Sequence, residues 1–271
     1  MDEKPKKQRL DDLLVEHNFF ENKSKAQAAI MAGDVKIDDK TVTKAGFQIA
    51  FSSKLNIHIK TMPYVSRGGF KIEKGLKEFN INLNDRICLD AGASTGGFTD
   101  CMLQNGAKKI YAVDVGYNQL AWKLINDKRV KNIEKTNIKN AAFTKIYDAE
   151  EEIADFCAMD VSFISITKVL NNIRKLLKED FEIIALIKPQ FEAGKEDVGN
   201  GVIKDEKIHI EILNNLIKFF KENNFIVAGL TFSPIKGPKG NIEYLVYLKN
   251  KGEDIFVDIK SLVKTAFEKA H

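Results

Sequence analysis

The chain is short of the residues that staple a protein together or anchor it in a membrane. Its three cysteines, Cys88, Cys101 and Cys157, form no C-x-x-C pair and have only four histidines to assist them. A disulfide framework and a structural zinc site are therefore excluded, no metal is expected, and the thiols are expected buried and reduced in a cytoplasmic protein. No apolar run approaches the roughly 18 residues that span a bilayer. The longest, "IIALI" from Ile183 to Ile187, stops at Lys188, and the opening "MDEKPKKQRLDD" is charged throughout with no signal-peptide core. A pore-forming or haemolytic activity has no physical basis in such a sequence.

What is present is a chain of 271 residues, 44% of them hydrophobic, enough for one large domain or a domain with a small module attached. The net charge of +4 permits nucleic-acid binding without requiring it. Residues 1–65 carry 11 Lys+Arg against 9 Asp+Glu, residues 66–78 carry 4 against 2, and the remainder balances at 27 against 27. The basic excess is confined to the first third of the chain, a modest electrostatic footprint.

The first 60 residues have a rhythm of their own. "QRLDDLLVEHNFF" and "KSKAQAAIMAGD" carry helical apolar spacing, the second stopped by Gly33, and "DVKIDDKTV" and "KLNIHI" alternate as short strands. This small α+β unit, residues 1–60, is expected to end in a linker at 61–66 that contains Pro63. The pattern Arg9-Leu10-Asp11, Ser24-Lys25 and Gly33-Asp34-Val35 resembles the RNA-binding module named after small-subunit ribosomal protein four. That resemblance implies that Arg9, Lys23 and Lys25 face RNA phosphates; the alternative is that they solvate the outer face of a helical hairpin.

From Arg86 onward, apolar strands alternate with helical segments: "RICLDAG", "KKIYAVDVG", "KNIEKT", "IADFCAMD" and "FEIIALIKP" are the strands. Such alternation predicts an α/β fold over residues 67–271, a Rossmann-like, doubly wound parallel sheet. "FIVAGLTFSP" and "EYLVYLK" close it as an antiparallel pair, and a final helix is expected with Ile255, Ile259, Leu262, Val263, Ala266 and Phe267 on its apolar stripe.

The loop after the first strand, "LDAGASTGGFTD", has no Gly-Lys-Ser/Thr and so argues against a nucleoside triphosphate site. Ser94 stands where a dinucleotide fingerprint needs its second glycine, which weakens NAD. S-adenosylmethionine, a nucleoside with a carboxylate and no phosphate, fits what remains. Gly92, Ser94, Thr95, Gly96 and Gly97 would form its cradle, the helix opening near Gly96 meeting the carboxylate. Asp90 would meet its amino group, Asp114 its ribose hydroxyls, and Asn137 its adenine.

Four ionisable residues, Lys71, Asp160, Lys188 and Glu243, are expected to converge beside this loop, most at strand ends. The set is similar to the Lys-Asp-Lys-Glu set of FtsJ-like ribose 2′-O-methyltransferases. Together with "VSRGGFK", "AVDVG", "MDVSF", "IKPQFE" and "GNIEY", it gives the whole chain a resemblance to the TlyA family. One departure is Tyr64, where the family often has a tryptophan. The resemblance implies a methyltransferase that moves methyl from S-adenosylmethionine to cytidine 2′-hydroxyls of ribosomal RNA, within both ribosomal subunits or the large one alone, with those four residues catalytic. Arg67 in the basic stretch, and Lys195, Lys236 and Lys239 in the glycine- and lysine-rich segments "EAGKEDVGNGVIKD" and "SPIKGPKGN", are the expected RNA contacts, carried on mobile backbone. A non-catalytic RNA-binding factor and a dehydrogenase are the rival readings.

Overall fold

The computed structural model describes residues 7–20, 22–50, 56–59, 62–149, 152–194, 196, 198–199 and 201–270. The chain divides into two compact units, Met1–Pro63 and Tyr64–His271.

The first unit contains β1 (Lys7–Arg9), α1 (Leu10–Glu16), α2 (Lys23–Met31), β2 (Val35–Ile37), β3 (Lys40–Thr41), β4 (Gln48–Ala50) and β5 (Ile57–Ile59). Leu10, Leu13 and Leu14 of α1 pack with Ala26 and Ile30 of α2 and with Val35 and Ile37 of β2. Asp38 and Asp39 both adopt positive φ, which makes the two-residue turn between antiparallel β2 and β3. The strand β1 pairs with β4; its "KQR" sequence has no apolar alternation to announce it.

Asp11 is wholly buried in this unit. Arg9 donates to it through Nε and Nη2 at 3.0 and 2.6 Å, and Gln27 through Nε2 at 2.7 Å. The Arg9 guanidinium holds this carboxyl down at about 2, against the opposing effect of burial. Because the folded pKa lies below the ordinary carboxylate value, the stabilisation is present above about pH 4 and is lost as pH falls towards about 2. Asp11→Ala is expected to cost this unit about 2 kcal/mol at neutral pH. Thermal melts of the two full-length proteins should converge as the buffer is acidified.

The second unit begins with α3 (Gly69–Glu78) and then winds through β6 (Ile87–Ala91), α4 (Gly97–Gln104), β7 (Lys109–Val113), α5 (Trp122–Ile125) and β8 (Val130–Ile133). It continues through α6 (Phe143–Ile146), β9 (Phe156–Met159), α7 (Thr167–Lys175), β10 (Glu182–Ile187), α8 (Pro189–Glu192) and α9 (Glu206–Glu222). The hairpin of β11 (Ile226–Phe232) and β12 (Tyr244–Lys249), then α10 (Ile259–Lys269), complete it. The strands form one sheet in the order β11-β12-β10-β9-β6-β7-β8, in which β12 runs opposite to the other six.

Both faces are covered. Ile87, Leu89 and Ala91 point to a core with Leu170 and Ile173 of α7, Leu213 and Phe220 of α9 and Val263 of α10. Cys88 points to the other core, with Ile72 of α3 and Phe98 and Met102 of α4. All three thiols are buried and free. The final helix is shorter than its apolar stripe suggested. Asp258 accepts from the Ser261 N–H and caps it there, leaving Ile255 outside, 45% exposed, on extended chain whose N–H is held by the Val227 carbonyl.

The winding reverses between β6 and β9. Successive strands run outward from β6 to β7 and β8 on one side, and through β9 to β10 on the other. A crevice opens at that reversal, beyond the carboxyl ends of the strands, where open α/β sheets bind their ligands.

Candidate active site

Four elements deliver one ionisable side chain each to that crevice. Lys71 lies in the first turn of α3, Asp160 directly follows β9, Lys188 directly follows β10, and Glu243 directly precedes β12. Antiparallel pairing of Ile187 with Tyr244 sets Lys188 beside Glu243, although one leaves a strand and the other starts one. The result is a continuous chain of charges. Lys71 Nζ donates to Glu243 Oε2 at 2.6 Å and lies 3.8 Å from Asp160 Oδ2, while Lys188 Nζ is 2.5 Å from Asp160 Oδ1. Lys188 also donates to Ser162 Oγ at 2.7 Å. Lys71, Lys188 and Glu243 are buried, so neither lysine is a solvated strand end. Two cations and two anions cancel locally, which makes their burial tolerable.

The glycine loop runs from β6 to α4. Gly92 and Gly96 have φ near +90°, and Ser94 is also positive at 48°. At Gly92 a Cβ would lie 2.7 Å from the Asp160 carbonyl, so the loop passes hard against the strand end that carries Asp160. A Cβ at Gly97 would lie 2.3 Å from Ser66 Oγ and 2.9 Å from the Gly69 nitrogen, so the "SRGG" turn sits on the start of α4. Tyr64 is buried, edge-on to Phe70, and its ring fills the place of a Gly69 side chain.

Two cavities meet at this loop and share Gly92, Ser94 and Asp160. The larger, about 600 Å³, is lined by Asp114, Val115, Gln119, Asn137, Phe163 and neighbours, with carboxylates but no lysine or arginine among its lining residues. The smaller, about 390 Å³, is lined by Thr95, Gly97, Arg67, Lys71, Lys236 and Gly237 among others, and is basic apart from Asp160. Asp114 accepts from the N–H groups of Ser94 and Gly116 at 2.8 and 2.7 Å. Each carboxylate oxygen keeps a lone pair for a further donor. Asn137 closes a turn by accepting from the Lys139 N–H, which leaves its NH₂ donors for a ligand.

Several expectations are corrected. Asp90 is wholly buried and lines neither cavity. It faces α4, where it accepts from the Thr99 hydroxyl at 2.6 Å and from the Thr99 backbone N–H. It thereby caps the helix that Gly96, lacking a side chain, cannot cap; burial raises its carboxyl to about 7. Gly96 lines neither cavity either: its α-carbon is packed on Leu120 and Leu124.

In the first unit, Arg9 and Lys23 both turn to carboxylates, Arg9 to Asp11 and Asp12, Lys23 to Asp12 at 2.6 Å. Lys25 is exposed on the first turn of α2. Arg67 and Lys236 line the basic cavity, Lys239 lies along Gly201, and Lys195 lies outside the described residues. The segment "SPIKGPKGN" is held rather than mobile. Buried Asn241 donates to the Gly201 carbonyl at 2.7 Å and accepts from the Ile203 N–H, and the Ser233 N–H bonds the Glu243 carbonyl. Ser162, Thr99 and Gly237 were not singled out by the sequence. Ser162 stands two places after Asp160 in "MDVSF", and Gly237 read as a flexible glycine when its role is close approach. Phe163, the last residue of "MDVSF", is 90% exposed at positive φ on the rim of the larger cavity, a placement the motif alone did not state.

A Rossmann-like sheet with this loop and this Lys-Asp-Lys-Glu cluster defines a class, and residues 64–250 match the FtsJ-like methyltransferase family. The chain belongs to that family, and residues 8–54 match the S4 domain. Its relatives narrow the class further. The chain is 36% identical over 245 residues to the Mycobacterium tuberculosis 16S/23S rRNA (cytidine-2′-O)-methyltransferase TlyA, covering 90% of each chain. It is 46% identical to hemolysin A of Brachyspira hyodysenteriae, covering 88% of this chain and 98% of that one. A solved Streptococcus thermophilus structure, provisionally named a hemolysin, superposes with a TM-score of 0.76 at 41% identity over 98% of both chains. No helix among the described residues is long and apolar enough to cross a membrane.

Proposed function

We propose that this protein methylates the 2′-hydroxyl of a cytidine in ribosomal RNA, using S-adenosylmethionine, within one or both ribosomal subunits in the cytoplasm. The observation that carries this reading is the division of charge at the Gly92–Ser94–Asp160 junction. The larger cavity has carboxylates and no basic residue, which suits a nucleoside bearing a positive sulfonium and disfavours any pyrophosphate. The smaller carries Arg67, Lys71 and Lys236, which suits a nucleotide of an RNA strand. Relatives named as rRNA (cytidine-2′-O)-methyltransferases support it.

When bound, the cofactor supplies an already activated methyl group. The protein must then align the acceptor oxygen for in-line displacement and manage one proton. Asp114 would hold the ribose of the donor, Asn137 its adenine, and Gly92 and Ser94, where the two cavities meet, its methionine end. Lys188 would hold the acceptor 2′-oxygen: its Nζ donates to Ser162 and is ion-paired with Asp160, whose Oδ1 accepts no hydrogen bond, so donors are left for it. Asp160 and Glu243 keep the two lysines in place, and Lys71 lies ready to offset negative charge as the hydroxyl proton passes to water. Arg67 and Lys236 would grip the flanking phosphates.

The direct test is incubation with methyl-labelled cofactor and separated ribosomal subunits, followed by mapping of ribose methylation in ribosomal RNA from cells with and without the protein. Label in neither subunit, and identical maps, would sink the reading. Asp114→Ala should weaken cofactor binding about 10- to 100-fold, the worth of one or two hydrogen bonds to a charged group, and isothermal calorimetry would measure it.

A further inference from the structure

The sequence contains a single tryptophan, and the fold leaves it in solvent: Trp122 is 77% exposed, and Tyr117, five residues earlier, is 68% exposed. Tyr117 lies on the connection from β7 to α5, and Trp122 opens α5. Looseness does not explain their exposure, because that connection is fastened along its length. The Asn118 N–H donates to Glu134 Oε1 at 2.8 Å, the Lys135 N–H to the Gly116 carbonyl at 3.0 Å, and the Ala121 N–H to the Thr95 carbonyl at 3.1 Å. Leu120 and Leu124, on either side of Trp122, are buried against Gly96. The two rings are thus held outward on rigid backbone.

Their surroundings are basic. Between Lys123 and Lys139 there are six Lys+Arg against two Asp+Glu; Lys123, Arg129 and Lys131 are ion-paired with Asp100, Asp127 and Asp148, which leaves three lysines as the local excess. Lys128, Lys135 and Lys139 are exposed, and the Lys135 ammonium lies 4.2 Å from the centre of the Tyr117 ring. Thr95, whose carbonyl fastens Ala121, also lines the basic cavity assigned to the acceptor strand. Exposed aromatic faces set among cations beside a nucleotide cavity are the pattern by which proteins hold unpaired nucleic acid. Bases stack on the rings, and the backbone follows the charge.

We infer that Trp122 and Tyr117 are a stacking platform for unpaired bases of the RNA next to the methylated nucleotide. The inference rests on the ribosomal RNA reading above and adds a positioning surface to it. A protein partner would also accept two aromatic rings, but the excess of lysine around them favours a polyanion.

The lone tryptophan makes the test specific, because all indole fluorescence comes from one residue. Full-length protein titrated at low salt with a short single-stranded oligoribonucleotide should show strong quenching that saturates with binding. Trp122→Ala should weaken that binding about 5- to 100-fold, Tyr117→Ala should weaken it in the same direction, and Trp122→Phe, which keeps a ring, should stay within about threefold of the parent. Affinity for S-adenosylmethionine should not change in any of them, which also shows that the variants are folded. RNA that binds without altering the fluorescence, or with equal affinity to Trp122→Ala, overturns the platform while the methyltransferase reading stands. Absence of methyl transfer to any ribosomal RNA by the parent protein would instead remove the reading on which it rests.

Discussion

Lys188→Ala should lower the single-turnover rate of methyl transfer by about 100-fold, the loss expected when the reacting oxygen is misplaced by about 1 Å. Binding of cofactor and RNA should stay within about threefold. The reason lies in the order of the charge chain, in which Lys188 is the end member, joined to Asp160 at 2.5 Å and to Ser162 at 2.7 Å. Removing it leaves the Lys71–Glu243 pair and both cavities standing, so the loss should fall on the chemical step. Lys188→Arg should not restore the rate, since a planar fork cannot direct its donors as an ammonium does in this confined space. Rapid-quench measurement of methyl incorporation checks this; full activity in Lys188→Ala would remove the residue from the mechanism.

Gly237→Ala should reduce activity by roughly 100-fold through a single methyl group. Gly237 has ordinary backbone angles, φ −69° and ψ −178°, so alanine introduces no backbone strain. Its Cβ would, however, sit 2.1 Å from Glu243 Oε1. The carboxylate must therefore move, and its 2.6 Å bond to Lys71 is broken or bent. A buried ion pair missing one partner costs about 3–5 kcal/mol, so a lower melting temperature should accompany the lost rate. Two controls make the cause visible. Glu243→Asp, combined with Gly237→Ala, shortens the side chain and should recover part of the activity. Gly240→Ala meets no atom within 4 Å but has φ +89°, so it should cost stability without a comparable loss of rate.

The parallel strands, the glycine loop and the quartet were legible because each has a local signature. An apolar run ends in a charged residue at Asp160 and Lys188, and the small residues after Asp90 leave no room for an ordinary turn. The hidden parts depend on which way a side chain faces. Asp90 ends its strand as a ligand-binding acid would, yet strand alternation turns it to the α4 side, where Thr99 takes it. The resemblance to the ribosomal-protein-four module offers Arg9 and Lys23 to RNA phosphates, but Asp11 and Asp12 are nearer partners than any sequence pattern states. "SPIKGPKGN" has the composition of a free loop; the buried carboxamide of Asn241, four residues beyond Gly237, stitches it to Gly201 and Ile203. Ile255 matched the helical stripe, but the cap at Asp258 cut it off.

The strand that brings Glu243 is the last to be made of the twelve among the described residues, yet it lies inside the sheet, between β10 and β11. Until it is synthesised and slides into that gap, β10 and β11 have no common neighbour and Lys71 has no Glu243 to hold it. A nascent chain that stops short of β12 is therefore an inert one: it can complete its glycine loop long before it can acquire a working centre. Competence should switch on in a single late event, when the C-terminal hairpin closes.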